Sequence, residues 1–209
     1  GMRACHDAGI VFPRDIVEKC RKSWLDSQHP AEKGAVVVRP AMASGGNAMP
    51  PGIPRGWCYA KPNIDGCENH GEAYGSMTAG AIGAVCIYDY MLGRPWKKEQ
   101  PVADGMAWME THWSVTENLP HPEGAKSSPK KWFLYYLYAM ERVGMLYYTT
   151  HIGSHDWYKE GALMLLESQK GNGSWAMSDS LNASHDTCFA VLFLKRATRP
   201  MVASGSHKR

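Results

Sequence analysis

Three short stretches decide the fold of this chain: WLDSQ at Trp24–Gln28, WMETH at Trp108–His112 and LLESQ at Leu165–Gln169. Each has two bulky apolar residues, an acid, a hydroxyl residue and then Gln or His. A second landmark is a glycine that closes an apolar run, and it occurs at Gly9, Gly93 and Gly144. Gly9 and Gly93 lie as far apart as Gln28 and His112, which indicates an internal repeat.

Each repeat predicts one helix that ends at the glycine and a second that ends at the acid-hydroxyl-Gln stretch. A glycine fits a helix end because it adopts the left-handed conformation at little cost. Capping residues support this reading: Pro13 and Pro129 suit first turns, Ser128, Ser154 and Ser184 suit N-caps, and Asp156 and Asp186 suit the first turn. The expected helices are 2–8, 14–27, 77–92, 101–115, 130–148, 155–169 and 185–197. The only strand candidate is 35–39.

Helices of two kinds alternate along the sequence. The segments 79–88, 132–140 and 188–194 are apolar around most of their circumference, which is typical of inner helices surrounded by protein. The segments 14–28 and 156–169 mix charged and apolar residues at helical spacing, as outer helices do. The sequence therefore predicts an all-α protein, a partial α/α toroid of about seven inner and outer helices. Residues 29–75 form a long loop insertion in the first repeat.

Composition excludes several classes of protein. With 209 residues, 44% of them hydrophobic and 21% charged, the chain can bury a core. The net charge of +3 and the lack of a basic run exclude nucleic acid as an expected partner. No apolar stretch is long enough to predict a transmembrane segment, and no signal peptide is visible, so the compartment, cytoplasmic or periplasmic, stays open. Of six cysteines only Cys58 and Cys67 share a loop, where a disulfide or two thiols are both open.

The stretch KEGALMLLESQKGNGSW at 159–175 resembles a known repeat. Gln169, Gly173 and Trp175 match the Q-x-x-x-G-x-W (QW) motif of the squalene-hopene and oxidosqualene cyclases, within the terpenoid cyclase and protein prenyltransferase superfamily. Over about 76–198 the chain resembles the squalene-cyclase-like proteins of planctomycete-type bacteria. In the repeat itself, a Gln at a helix end is suited to bind the adjoining loop and the Trp to stack on a neighbouring helix end. We therefore expect Gln169 and Trp175 to be structural.

Two departures from the family bear on activity. The D-x-D-D motif that protonates the alkene in the cyclases is absent, and so is the Cys-Gly-Glu-Gln sequence of the thioester proteins that share the toroid. Seven helices are also fewer than the twelve of the closed toroid that the resemblance implies. We therefore expect 1–209 to be one domain, either the C-terminal part of a longer toroid or a half-toroid that dimerises, with an exposed apolar edge covered by a protein segment.

The start of the last inner helix carries the first group of candidate site residues. In the prenyltransferases a D-x-C pair at this place supplies two zinc ligands, and Asp186 and Cys188 have that spacing. His185 or His155 would complete a zinc site, whereas the alternative is that Asp186 caps the helix and Cys188 packs. Asp186 and His185, with Glu141 on the preceding inner helix, are the candidate catalytic residues. Glu141 and Arg142 face apart on their helix, so each is expected to have its own partner.

The candidate ligand-binding residues are aromatic or polar. Tyr135, Tyr138, Trp132, His155 and Trp157 are the residues we expect to contact an apolar ligand, because ring faces pack on apolar groups and stabilise cations. Core packing is the alternative for the tyrosines, including Tyr136, Tyr147 and Tyr148. In the long loop, Asp65, Cys67, Glu68, His70 and Glu72 have donor groups suited to a metal, although no known ligand spacing is matched.

Two functions are consistent with these features. The first is a binding or scaffolding domain that holds an apolar small molecule or a protein segment and has no polyene cyclase activity. The alternative is an enzyme of cyclase or prenyltransferase type acting on an isoprenoid-like substrate. A deep apolar pocket converging on His185, Asp186 and Glu141 would favour the enzyme, whereas a shallow, solvated concavity would favour the binding domain.

Overall fold

The computed structural model describes residues 1–38, 50–59, 72–119, 128–179 and 182–201. Over these residues the chain is helical, with one small hairpin, so the all-α prediction is confirmed. In chain order the helices are α1 (Met2–Asp7), α2 (Arg14–Asp26), α3 (Gly75–Leu92), a 3-10 helix (Trp96–Lys98), α4 (Gln100–Thr111), α5 (Phe133–Tyr147), α6 (Trp157–Ser168) and α7 (Ala183–Leu194). Strands β1 (His151–Ile152) and β2 (His155–Asp156) pair antiparallel just before α6.

The contacts between helices divide them into two sets. In the first set α3 packs against α5, α5 packs against α7, and α1 touches α3. The second set lies outside the first: α2 and α4 pack against α3, and α6 packs against α5 and α7. This alternation agrees with the predicted inner and outer helices. The toroid itself stays a prediction, because these contacts define neighbouring helices and not a closed ring.

Burial follows the apolar content of each helix. The inner helices α3 and α5 are buried on most sides, whereas the outer helix α2 buries only Val17 and leaves most of its charged residues in solvent. Arg21 is the exception, because it pairs with the buried Asp89 of α3. The core therefore lies along the α3–α5 contact, where Ile82, Tyr136 and Met140 are almost fully buried.

The last inner helix is less covered than its sequence predicts. Only Asp186, Ala190 and Phe193 of α7 are buried, and Val191 is 41% exposed. The expectation that 188–194 is surrounded by protein is therefore wrong for one face of α7. No described helix packs on that face, because α7 is the last of the inner set and contacts only α5 and α6. The segment or second copy expected to cover this edge stays a prediction.

Several predicted helix ends differ in detail. The N-caps of α6 and α7 are Asp156 and Asn182, whose side chains accept backbone N–H groups, and not Ser154 and Ser184. Asp186 does lie in the first turn of α7. α5 begins after Trp132, so Ser128 and Pro129 belong to the preceding turns. The N-cap positions fall on Asp156 and Asn182 because α6 begins at Trp157 and α7 at Ala183.

Of the three landmark glycines, the third does not end a helix. Gly9 and Gly93 follow α1 and α3 with positive φ, as expected. Gly144 lies inside α5, which continues to Tyr147. A Cβ on Gly144 would lie 2.2 Å from the Trp157 ring, so this glycine is required for the close approach of α5 and the start of α6.

Both ends of α5 are set by aromatic residues in the left-handed region. Trp132 precedes the helix with φ of 59° and Tyr148 follows it with φ of 60°. The left-handed conformation is uncommon for a non-glycine residue and interrupts the helical backbone. The helix therefore stops abruptly at both ends.

Two tryptophans fasten successive repeats in the same way. The Nε1–H of Trp57 donates to the Trp24 carbonyl at 2.8 Å, and that of Trp175 donates to the Leu165 carbonyl at 2.8 Å. The acceptors, Trp24 and Leu165, lie four residues before Gln28 and Gln169, the glutamines that follow α2 and α6. We call each of these arrangements a tryptophan clip.

The same side chains complete both clips. The backbone N–H of Trp57 donates to the Thr78 hydroxyl, and that of Trp175 to the Thr187 hydroxyl. Gln28 donates to the Arg55 and Pro101 carbonyls, and Gln169 to the Gly173 carbonyl. The expected structural role of Gln169 and Trp175 is confirmed by these bonds. In the first repeat the sequence shows only a loose match, with a long insertion between Gln28 and Gly56-Trp57, yet Gln28 and Trp57 reproduce the second clip.

Three expectations fall wholly or partly outside the described residues. Of the strand candidate 35–39, Val38 forms an isolated bridge with Gly52 and Arg39 is not described. Cys67 is not described either, and neither are Asp65, Glu68 and His70.

In the described part of the chain, no helix combines the length and the apolar character that crossing a bilayer requires.

We predict that Gly144→Ala destabilises the protein by about 1–3 kcal/mol or more, because the added methyl overlaps the buried Trp157 ring. The matched control is Gly80→Ala on α3, where nothing lies within 4 Å of the added Cβ. That change should be neutral or stabilise by up to about 1 kcal/mol through helix propensity. Urea unfolding of both variants measures the difference. Equal effects would show that Gly144 has no special packing role.

Candidate functional site

Glu141, a candidate catalytic residue, is fully buried in the middle of α5. Its two carboxylate oxygens accept from the backbone N–H and the hydroxyl of Thr198, at 3.0 and 2.7 Å. Burial raises the pKa of Glu141, and the two bonds from Thr198 act against that rise. As expected, Arg142 has a different partner, Tyr138. Its guanidinium lies over the Tyr138 ring and donates to the Tyr138 hydroxyl.

Asp186 is fully buried too, and its carboxylate binds backbone. One oxygen accepts from the N–H groups of Met177 and Ser178, at 2.7 and 2.8 Å. Its neighbours in sequence, His185 and Cys188, are both exposed. The structure therefore does not bring Asp186 together with His185 or Cys188, because residues one and two apart on a helix face different directions. Asp186 instead holds the loop before α7 against the helix.

Three of the five predicted ligand-binding residues form one row at the start of α5. Tyr135 and Tyr138 lie three residues apart on one face of the helix, and Trp132, which precedes the helix, contacts Tyr135 edge to face with ring centroids 6.5 Å apart. Phe189 of α7 packs against the second and third rings, with centroids 5.5 and 5.6 Å away. Trp132 is 43% exposed, and the two tyrosines are half-buried. We call Trp132, Tyr135, Tyr138 and Phe189 the aromatic row.

The other two predicted residues lie elsewhere. Trp157 is buried in the core against Gly144, and its Nε1–H donates to the Thr149 carbonyl. His155 stacks on Trp113 at a centroid distance of 4.4 Å, and its Nδ1 lies 3.2 Å from the Glu160 carboxylate. Of the remaining tyrosines, Tyr136 and Tyr147 are core residues and Tyr148 is exposed.

A cleft that the sequence did not indicate lies at the junction of the first two repeats. It has a volume of about 350 Å³, and its lining residues are His29, Pro30, Glu32, Pro54, Gly56, Glu72, Ala73, Trp108 and His112. His112, in this lining, ends the second repeat, and no tryptophan clip follows it among the described residues. The carbonyl four residues before His112 belongs to Trp108, and the His112 ring itself binds it through Nδ1 at 3.1 Å. His112 thus bonds the carbonyl that a clip tryptophan bonds in the other repeats.

The charges in the cleft are negative. Glu32 and Glu72 line it, and the Glu32 carboxylate lies 3.4 Å from Nε2 of His112. Burial lowers the pKa of His29, and the nearby Glu72 charge raises it by a smaller amount. Nε2 of His29 lies 3.1 Å from the Cys58 sulfur. A neutral imidazole beside two carboxylates makes the cleft attractive to cations.

These side chains do not converge on one ion. In the described part of the chain, no group of three or more His, Cys, Asp or Glu side chains is arranged to hold a metal. The cleft could have been suspected from the sequence in one respect, since His112 replaces glutamine in the repeat. The sequence does not predict the orientation of the His112 ring, which bonds the Trp108 carbonyl of its own helix.

Comparison of the chain with protein-family models, with curated proteins and with solved structures finds no match.

We predict that His29 makes the protein less stable as the pH falls below about 6.5. Because its pKa is lower in the folded protein than in the unfolded chain, the unfolded chain binds the proton more readily. The stability is present above pH 6.5 and is lost as the pH falls through the folded-state pKa. Urea unfolding of the wild type and His29→Gln between pH 7.5 and 5 measures this, and the wild type should lose more. NMR titration of the His29 ring in Glu72→Gln should show a still lower pKa. An unchanged or higher value in that variant would contradict the assigned contribution of Glu72.

Proposed function

We propose that this domain binds an apolar ligand on the aromatic row and does not catalyse polyene cyclisation. The aromatic row, with its partly exposed rings in contact with one another, is the observation that carries the proposal. Neighbouring aromatic rings offer an apolar surface for a chain-like molecule. The ligand class is an isoprenoid-like or similar apolar small molecule.

The positions of the acidic candidates support binding over catalysis. A general acid must present its proton to the substrate from within hydrogen-bond reach. Glu141 uses both of its oxygens on Thr198, and Asp186 uses one of its oxygens on two backbone N–H groups. Both carboxylates are fully buried, and neither they nor His185 line the two cavities found in the described part of the chain. This weighs against the alternative, an enzyme of cyclase or prenyltransferase type. No zinc-dependent step is part of the proposal.

The family assignment belongs to the same proposal. We infer that the domain is a member of the squalene-cyclase-like toroid superfamily, in the planctomycete-type branch. The two tryptophan clips and the alternation of inner and outer helices support this inference. A protein segment, or a second copy in a dimer, that covers the exposed face of α7 is the further partner that such an incomplete ring requires.

We predict that farnesol, an uncharged isoprenoid, binds the wild-type protein and that Trp132→Ala and Tyr138→Ala each weaken binding by about tenfold. Removing one ring from a contact surface costs on the order of 1–2 kcal/mol. The control is Tyr148→Ala, which removes an exposed tyrosine outside the row and should leave the affinity unchanged. Titration calorimetry measures the affinities. No detectable binding, or an equal loss in Tyr148→Ala, would refute the aromatic row as the binding surface.

We also predict that squalene incubated with the protein is recovered unchanged when the extract is analysed by mass spectrometry. The Glu141 and Asp186 carboxyl groups are fully buried, so neither is presented to the ligand. A cyclised product that disappears in Asp186→Asn or Glu141→Gln would establish the enzyme alternative instead.

A further inference from the structure

The segment that follows α7 crosses the inner helices and is held at several points. We call residues 196–201 the strap. Arg196 turns the chain with φ of 46° and lies over the Tyr158 ring at 3.8 Å. Thr198 then binds Glu141 on α5, and Arg199 and Pro200 reach α1. Met201 is almost fully buried in the core.

Most of these contacts go to the main chain of the strap. The Arg3 guanidinium donates to the carbonyls of Arg199 and Pro200, at 2.6 and 3.0 Å, so one side chain binds two successive peptide units. One Glu141 oxygen accepts the Thr198 N–H. Main-chain contacts of this kind do not depend on the covalent link to α7, because a peptide that adopts the same backbone conformation presents the same groups.

Two side-chain contacts add sequence preference. The Thr198 hydroxyl donates to Glu141 at 2.7 Å, and Met201 fills an apolar site three residues later. A valine in place of the threonine would leave a carboxylate oxygen buried without its donor, which is costly for a charged group. The site therefore prefers Ser or Thr followed, three positions on, by a large apolar residue.

Glu141 and Arg3, which bind the strap, form a site that we call the seat. This site needs hydrogen-bonding groups from the peptide that fills it. Glu141 is fully buried, and the strap supplies both of the hydrogen bonds that its carboxylate accepts from described residues. The short helix α1 has no buried residue, and its Arg3 is fixed through the strap. An empty seat would leave a buried carboxylate without hydrogen-bond donors, which is expensive. A peptide with the same donor groups would remove that cost.

We propose that the seat formed by Glu141 and Arg3 is a peptide-binding site, which the strap occupies within the molecule and an extended Ser/Thr-x-x-apolar segment of a partner protein can occupy in its place. This goes beyond the proposed apolar-ligand function, because the aromatic row takes no part in it. The strap then acts as a built-in competitor. Its tethering gives it a high effective concentration, on the order of millimolar.

The test measures binding of the fluorescent peptide Lys-Arg-Ala-Thr-Arg-Pro-Met to the full chain by fluorescence polarisation. In wild type the strap should hold the apparent affinity low. Thr198→Val removes the hydroxyl from the strap but leaves Glu141 and Arg3 intact, so the peptide should bind about tenfold more tightly or better. The control variant is Thr116→Val, an exposed threonine outside the strap, which should behave as the wild type.

The peptide carries its own control. Lys-Arg-Ala-Val-Arg-Pro-Met has the same charge and should bind Thr198→Val at least about tenfold more weakly, because it cannot donate to Glu141. Equal binding of the two peptides, or no binding to Thr198→Val above the wild-type level, would overturn the proposal. Neither result would affect farnesol binding, which is measured on different residues.

A second measurement does not depend on the folding of a variant. In wild-type protein with excess Thr peptide, hydrogen exchange of the strap should accelerate at Thr198, because its N–H loses the bond to Glu141 when the strap is displaced. With the Lys-Arg-Ala-Val-Arg-Pro-Met peptide at the same concentration, the Thr198 N–H should exchange much more slowly than with the threonine peptide. Unchanged exchange with the Thr peptide at saturating concentration would contradict displacement of the strap.

Discussion

The bond between a tryptophan N–H and a carbonyl in the last turns of an outer helix is the interaction on which the rest of the fold depends. Trp57 and Trp175 both make it, and both are almost fully buried. Each bond fixes the loop that leads from an outer helix to the next inner helix. The backbone N–H of each of these tryptophans donates to a threonine hydroxyl of the next inner helix, and this second bond holds that helix against the loop. The placing of α3 and α7 relative to α2 and α6 follows from these two clips.

The end of the second repeat differs from the other two. His112 there bonds the Trp108 carbonyl itself, and its ring lines an open cleft. The histidine and carboxylate groups of this cleft come from the loop after the first repeat and from the end of the second. Departures from a repeated pattern are expected at functional sites, where local regularity is given up for chemistry.

Much of the fold could be predicted because it is local in sequence. The seven α-helices of the described residues follow from apolar periodicity and lie within a few residues of their expected positions. That Tyr135 and Tyr138 share a face could be predicted too, since residues of one helix at that spacing lie side by side, whereas the left-handed turn at Trp132 could not. Trp157 could not be assigned, because its environment depends on Gly144 of another helix.

The carboxylates show most clearly where sequence reasoning ends. An acid on an apolar helix has to find donors, but the sequence does not say which. For Glu141 the donor is Thr198, on a segment beyond the last helix, and for Asp186 it is the backbone of the loop before α7. Contacts between distant positions decide whether such an acid is available for chemistry, and no local pattern records them. Gly144 is a similar case, because its close contact is with a ring from the next repeat.

The left-handed residues at the two ends of α5 have a consequence for which molecules the aromatic row can accept. Trp132 and Tyr148 end the helical backbone on both sides, so α5 has fixed bounds. The ten helical residues from Phe133 to Arg142 span about 15 Å. In the function that we propose, the row would therefore have a constant length with a positive charge at its far end, and it would discriminate between chain-like ligands by how far they extend.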